Sequence, residues 1–304
     1  MRVSDLFSGL GGSSTGAVMA GATVVWAGNH WQAAVDTHAR NHPDAIHVCQ
    51  DLHQADWSKV PAHDLMMASP CCQGHSKARG KKAGNPQHDA SRSTAWAVIS
   101  AAEYHKTEII IVENVPEFLQ WALYPAWEAA MCALGYSLAP HIVDCADLGV
   151  PQNRVRMFIV CTRSKNPLHL TLPTLPHLAA DSFIDLTIGN WQPIEKKGRA
   201  VATLERIRNG RAKFGCRFLI SYYGNSKSGR SLSRPIGTIT TRDRWAIVDG
   251  SRMRMLSAEE NMRAMSFPAD YIKPPSHRLA VHMAGNAVPP KAMCEIIQCL
   301  QVQA

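Results

Sequence analysis

The sequence predicts an α/β protein. A doubly wound, mostly parallel sheet with helices on both faces is joined to a small, irregular, mainly β domain. Three observations predict it. Short apolar runs alternate with helical patterns through residues 1–162, proline and positive charge crowd residues 163–250, and helical pattern returns over 251–304. In order, the runs Val3–Phe7, Thr23–Ala27, Ala45–His47, Asp64–Ala68, Glu108–Val112, Tyr136–Val143 and Arg156–Cys161 read as strands. Ser13–Ala20, Trp31–Asn41, Ser93–His105 and Tyr124–Leu134 read as helices between them. Strands spaced by helices imply βαβ units, and right-handed crossovers put the helices on both faces. Pro167, Pro173, Pro176 and Pro193 punctuate the next stretch, which has few long periodic patterns. Ser257-Ala258-Glu259-Glu260 reads as a helix start with a capping box. A last helix is expected from about Lys291 to Val302, after Val288-Pro289-Pro290.

The chain has 304 residues, enough for one large domain and a smaller one. Apolar residues make up 46% and charged residues 18%, an ordinary globular balance. No long apolar run argues for a membrane span, and Met1-Arg2-Val3-Ser4-Asp5 lacks the apolar stretch of a signal peptide. A cytoplasmic protein is expected. Nine cysteines are scattered, with only Cys71 and Cys72 adjacent and no CxxC pair. Zinc ribbons and thioredoxin-like sites are therefore disfavoured, and no metal is implied. The net charge of +8 points to a polyanionic partner. Eleven lysines and arginines lie between Trp191 and Arg234, against Glu195 and Glu205, so the excess is concentrated in the small domain.

Chemistry concentrates where predicted strands end. The first runs into Asp5-Leu6-Phe7-Ser8-Gly9-Leu10-Gly11-Gly12. Glycines at a strand-to-helix turn let a ligand approach the backbone. Ser14 occupies the third glycine position of a dinucleotide fingerprint, so a nucleoside cofactor without phosphates fits better. The fourth runs into Ser69-Pro70-Cys71-Cys72-Gln73-Gly74-His75-Ser76, and the fifth into Glu113-Asn114-Val115. A thiol and a carboxyl at neighbouring strand ends can serve as nucleophile and acid on one small substrate. Taken singly, each signal has a plainer reading: Cys72 as a core thiol, Glu113 as a surface carboxylate, Arg154 and Arg156 as an exposed pair on one strand face. Their spacing argues against three separate accidents.

Six segments in order resemble the cytosine-C5 DNA methyltransferases. They are Asp5–Gly12, Pro70-Cys71-Cys72-Gln73, Glu113-Asn114-Val115, Gln152-Asn153-Arg154-Val155-Arg156, Arg234-Pro235 through Thr238-Ile239-Thr240, and Gly285-Asn286-Ala287-Val288-Pro289-Pro290. The likeness covers nearly the whole chain. It implies a Rossmann-like S-adenosyl-L-methionine (SAM)-dependent methyltransferase sheet built from 1–165 and 276–304, a target-recognition domain at 166–250, and a connecting segment at 251–275.

The resemblance also implies the reaction. Carbon 5 of cytosine is a poor nucleophile until a thiolate adds to carbon 6. Cys72 is the expected thiolate. Glu113 is expected to hold or protonate ring nitrogen 3, with a pKa raised by burial. Asn114 fixes the loop, Arg156 donates to the cytosine O2, and Arg154 supports Arg156 or the Glu113 carboxylate. The carbon-5 proton leaves by elimination to water or hydroxide, and S-adenosyl-L-homocysteine is the other product. The cofactor contacts implied are Phe7 on the adenine, the backbone of Ser8, Gly9, Leu10, Gly11 and Gly12, Asn29 and His30, Asp51 and Leu52, Pro70, and Asn286 and Val288. Two departures stand out. Asn29 occupies a position where the family carries an acid for the ribose hydroxyls, and Cys71 replaces the proline before the nucleophile.

A cytosine in a duplex must be flipped out before any thiol reaches it. Gln73–Asn85, with Lys77, Arg79, Lys81 and Lys82 among glycines, is expected to close over DNA, with Gln73 or Ser76 entering the gap. Sequence choice is expected from Arg217, Tyr222, Tyr223, Asn225, Lys227, Arg230, Arg242 and Arg244. The partner implied is double-stranded DNA. A bacterial or phage origin, a nucleoid-associated monomer and a cognate restriction endonuclease complete the expectation. The competing readings are a tRNA cytosine-C5 methyltransferase, whose characteristic Cys-Phe-Thr element is absent, and a catalytically silent DNA-binding homologue.

Overall fold

The computed structural model describes residues 1–71, 94–224 and 226–303. Seven strands form the larger sheet: β1 (Arg2–Leu6), β2 (Thr23–Asn29), β3 (Ile46–Cys49), β4 (Leu65–Ala68), β5 (Ile109–Asn114), β6 (Ser137–Asp144) and β7 (Val155–Thr162). Their order is β3-β2-β1-β4-β5-β7-β6. β1 to β5 run parallel, and β7 runs antiparallel to β5 and β6 on either side of it. The helices α1 (Gly12–Met19), α2 (Gln32–Asn41), α3 (Ala95–His105) and α4 (Tyr124–Ala133) fall between these strands. Every strand and helix read from residues 1–162 is present, with bounds shifted by no more than two residues.

Continuous apolar strands dictate a sheet covered on both faces. Side chains alternate along a strand, so each central strand feeds two cores. Leu6, Met66, Ala68, Ile110 and Val112 point to one, where Val98 and Ala102 of α3 and Trp127 and Met131 of α4 cover them. Val3, Leu65, Met67 and Ile111 point to the other, beneath Ala17 of α1 and Met293, Ile296 and Ile297 of the final helix α8 (Pro290–Gln303). Each such large side chain contributes about 1.5–3 kcal/mol when fully buried.

The smaller sheet is antiparallel. It comprises β8 (Gln192–Pro193), β9 (Arg217–Ser221), β10 (Gly229–Arg230), β11 (Trp245–Asp249) and β12 (Arg252–Met255), in the order β10-β9-β11-β12-β8. Because β12 belongs to this sheet, the smaller unit runs past residue 250, where the sequence placed its end. One face packs on a fourteen-residue helix, α5 (Val201–Phe214), which the sequence reading did not anticipate. Its buried stripe is only Thr203, Ile207 and Gly210, and charge elsewhere hides the period. Gly210 is needed there, since a Cβ would lie 2.3 Å from the Phe218 ring. The other face, through Leu219, Trp245 and Ile247, packs on α6 (Ala258–Ala264) and α7 (His277–Asn286). Leu10, from the loop after β1, joins this core, so the two sheets meet at the turn that ends the first strand. The expected capping box at Ser257 and Glu260 is formed. No described helix is long and apolar enough to cross a membrane.

Candidate active site

The strand order reverses between β1 and β4, and open α/β sheets place ligands outside the carboxyl ends at such a point. The chain leaves β1 through Phe7, whose φ of 64° is left-handed and strained for a side chain with a Cβ. Ser8 N–H donates to Gly28 O at 3.1 Å, and Gly11 N–H to Ser8 O at 2.8 Å, closing a tight turn into α1. Gly12 is a point of close approach, because a Cβ there would stand 1.9 Å from Val288 O. The C-terminal motif is thereby laid directly on the turn. Phe7 is half-buried, and the space beside Gly9 holds nothing closer than 3.7 Å to an added Cβ.

Beneath the turn lies a polar network that sequence reasoning missed. The Ser14 hydroxyl donates to Asp5 Oδ2 at 2.7 Å and lies 2.9 Å from His38 Nε2. His38 Nδ1 lies 2.8 Å from His47 Nε2, and His42 Nε2 lies 3.1 Å from the Thr15 hydroxyl. Tyr271, from the far end of the chain, donates its hydroxyl to Leu10 O. Burial raises the Asp5 pKa to about 7 and lowers that of His42 to about 4. Burial also holds His38 well below the ordinary histidine range. Ser14 was notable in the sequence only as a missing glycine, and the network joins β1, α1, the end of α2 and β3, so no local pattern announces it.

The remaining cofactor candidates line the neighbouring strand ends. Asn29 ends β2, buried, with Oδ1 accepting the Trp31 N–H at 3.0 Å. His30 beside it is exposed. Asp51 follows β3, its Oδ1 accepting the His53 N–H at 3.0 Å, which holds the carboxyl below its usual range. Leu52 is buried. Pro70 follows β4, and its carbonyl accepts the Asn114 Nδ2–H at 3.0 Å. Asn286 is exposed and Val288 buried. Cys71 N–H donates to the Thr94 hydroxyl at 2.9 Å. Cys72, Gln73, Ser76, Lys77, Arg79, Lys81, Lys82 and Asn225 lie outside the described residues.

Glu113 is the penultimate residue of β5, just before Asn114, and its Oε1 lies 3.2 Å from Arg156 Nε. Both side chains are nearly buried. Burial raises the Glu113 pKa, outweighing the opposing pull of the Arg156 and Arg154 guanidinium groups. A carboxyl so placed can hold a proton for a ring nitrogen. β7 brings Arg156 alongside because it runs antiparallel to β5, pairing Phe158 with Glu113. Arg154 is held differently from Arg156. It precedes β7, is 1% exposed, and donates to Ile239 O, Gly285 O and Ala287 O at 3.0, 2.9 and 3.0 Å. Its charge also acts on Glu113, lowering the carboxyl pKa.

The DNA candidates divide. Tyr222, Tyr223, Arg242 and Arg244 gather at one end of the small sheet, where Trp245 pairs with Ser221. Arg244 donates to Tyr222 O at 3.0 Å and lies over the Tyr223 ring. Lys227 is exposed on the adjoining loop, and Arg230 donates to Asn153 Oδ1 at 2.5 Å, tying β10 to the large sheet. Arg217 is the exception. It pairs with Asp249 at the opposite end of β9, roughly 16 Å of strand from Tyr222. Among the described residues, no cluster of His, Cys, Asp and Glu is arranged to hold a metal ion.

The family model of the C-5 cytosine-specific DNA methylases matches residues 1–301. The chain belongs to that family. By class it is a DNA (cytosine-5-)-methyltransferase. The Type II methyltransferase M.HgiDI of Herpetosiphon aurantiacus is 28% identical over 293 residues, covering 95% of this chain and 90% of the relative. The Type II methyltransferase M.AplI of Arthrospira platensis is 31% identical over 303 residues, covering 95% and 82%. M.HhaI of Haemophilus parahaemolyticus is 27% identical over 313 residues, covering 95% and 90%. Two solved structures share the fold. An E. coli prophage-encoded chain described as a DNA modification methyltransferase superposes with a TM-score of 0.75 at 19% identity, covering 100% of this chain and 99% of its own. DNMT2 of Spodoptera frugiperda superposes with a TM-score of 0.69 at 16% identity, covering 99% of both chains.

Proposed function

We propose that this enzyme transfers the methyl group of SAM to carbon 5 of a cytosine flipped out of double-stranded DNA, through a transient bond between the Cys72 sulfur and carbon 6. The observation that carries the reading is the pair Glu113–Arg156 at 3.2 Å, buried beside Asn114, whose amide anchors Pro70 two residues before Cys72. Acid, cation and the root of the nucleophile loop thus start from neighbouring strands, β5, β7 and β4. Thiolate addition would leave negative charge on the ring. The raised pKa of Glu113 favours a proton on its carboxyl for nitrogen 3, so that charge is neutralised as it forms. Arg156, holding Glu113 through Nε and donating Nη1 to Val155 O at 2.8 Å, would direct its Nη2 to the cytosine O2.

The residues fit the cofactor. The turn Phe7–Gly12 combines a half-buried ring with open space beside Gly9, a cradle that a Cβ would narrow. Phe7 would meet the adenine face, the Asp51 carboxylate its amino group, Asn29 the ribose, and the backbone of Ser8–Gly12 the methionine portion, with His30, Leu52, Pro70, Asn286 and Val288 completing the wall. SAM would supply the electrophilic methyl group. Tyr222, Tyr223, Lys227, Arg230, Arg242 and Arg244 form the proposed DNA face, and Arg217 falls outside it. The Type II names of the relatives favour a place beside a restriction endonuclease.

Incubation with tritium-labelled SAM and separate pools of duplex DNA and RNA, followed by bisulfite sequencing, tests the reading. Label should enter DNA and map to one short site. Label confined to RNA would favour a tRNA enzyme instead. Cys72→Ser should abolish transfer and Cys71→Ala should retain most of it. Wild-type turnover by the Cys72→Ser protein would falsify the mechanism.

A further inference from the structure

Arg154 makes three hydrogen bonds to backbone carbonyls that the proposed chemistry does not use. Its guanidinium reaches two segments far apart in sequence. Nη1 donates to Ile239 O, and Nη2 to Gly285 O and Ala287 O, all within 3.0 Å. The side chain is buried, so an uncharged replacement would strand three acceptors away from water. The first segment, 236–240, leads into the proposed DNA face: Tyr223 donates its hydroxyl to Thr238 O at 2.8 Å. The second, 285–288, lies on the cofactor turn through Val288 and Gly12. The two segments touch at the guanidinium, since a Cβ on Gly285 would lie 2.2 Å from the Thr240 carbonyl carbon. Residues just before Arg154 extend the same junction. Gln152 Oε1 accepts the Ile239 N–H at 2.7 Å, and Asn153 N–H donates to Ile236 O at 2.8 Å.

We propose that Arg154 is a positioning residue that couples cofactor binding to DNA binding. A ligand that orders residues 285–288 fixes two of the three carbonyls around the guanidinium. The third carbonyl, Ile239 O, is thereby placed, and with it the neighbour that anchors Tyr223. The second ligand then finds its segment already ordered and binds more tightly, and the effect is reciprocal. This inference rests on the assignment of the Phe7–Gly12 turn to SAM and of the small sheet to DNA. It adds a role for the three backbone bonds of Arg154.

The test measures binding without turnover. A fluorescein-labelled duplex carrying the site mapped by bisulfite sequencing is titrated with wild type, Arg154→Met, Arg154→Lys and Gly285→Ala proteins. Each titration is run with and without saturating S-adenosyl-L-homocysteine, and circular dichroism checks folding. Wild type should bind DNA several-fold more tightly with the cofactor product, within the range of about 5–150-fold usual for coupled sites. In Arg154→Met that factor should fall to about 1, while Arg154→Lys, keeping the charge and part of the bonding, restores some of it. Gly285→Ala wedges the segments apart with the arginine intact and should also lower the factor. A folded Arg154→Met or Gly285→Ala protein with wild-type coupling overturns the proposal. So does a wild type that binds both ligands independently. A wild type that binds neither would instead bring down the functional assignment.

Discussion

Replacing Asp5 with Asn should turn a pH-dependent liability into a pH-independent one. Asp5 is fully buried, with Oδ2 bonded to Ser14 and Oδ1 without a hydrogen-bond partner. Its pKa rises from 3.8 to about 7 because burial disfavours the charge. The folded state therefore keeps a proton that the unfolded chain releases near 3.8. Between those values the folded state binds more protons, so stability falls as pH rises, and above about 7 the full cost remains. At about 1.4 kcal/mol per pH unit, that cost is about 4 kcal/mol at pH 8.5 and about 2 kcal/mol at pH 5. An Asn amide keeps the bond from Ser14 but puts an N–H where Oδ1 has no partner, costing about 1–3 kcal/mol at every pH. The difference between variant and wild type should swing toward the variant by about 3 kcal/mol from pH 5 to pH 8.5. His38 and His42 slope the other way, because the folded state releases their protons early, but they are common to both proteins and cancel. Urea unfolding followed by tryptophan fluorescence across that range measures the swing. A change below about 1 kcal/mol, or one favouring wild type, would refute the reasoning.

Three further outcomes are expected. Glu113→Gln should lose methyl transfer by about 100-fold or more while SAM affinity, measured by calorimetry, stays within a few-fold, because the proposed mechanism gives the residue to the base and not to the cofactor turn. Gly12→Ala should weaken SAM binding and lower stability by about 1–3 kcal/mol, since the new methyl meets Val288 backbone at 1.9 Å and that segment must retreat. Glu260→Gln should destabilise the fold by about 3–5 kcal/mol in urea titrations, because Glu260 holds buried Arg254 through two bonds of 2.7 Å and only an amide remains to face that charge.

The large sheet was legible because its strands are unbroken apolar runs bounded by turn residues, and its helices fill the intervals between them. The proposed chemistry was legible for a related reason. Glu113 and Asn114 close β5 and Pro70 follows β4, so finding the strands picked out the candidate positions. The small unit read poorly. The period of α5 is carried by three small or aliphatic positions among arginines, and β8 and β10 are two residues each, too short to leave a pattern.

What the sequence by itself determined was the family, the order of the strands' chemistry and the concentration of positive charge in one segment, because each is written in neighbouring residues. Only the folded chain decided how distant residues share the work. Arg154 and Arg156 look equivalent two residues apart, yet one meets Glu113 and the other meets the backbone of residues 239, 285 and 287. The same is true of Asp5, Ser14, His38 and His47, which become one buried network from four separate elements. Burial and hydrogen-bond partnership depend on what packs across from a residue, and that is settled by long-range contact.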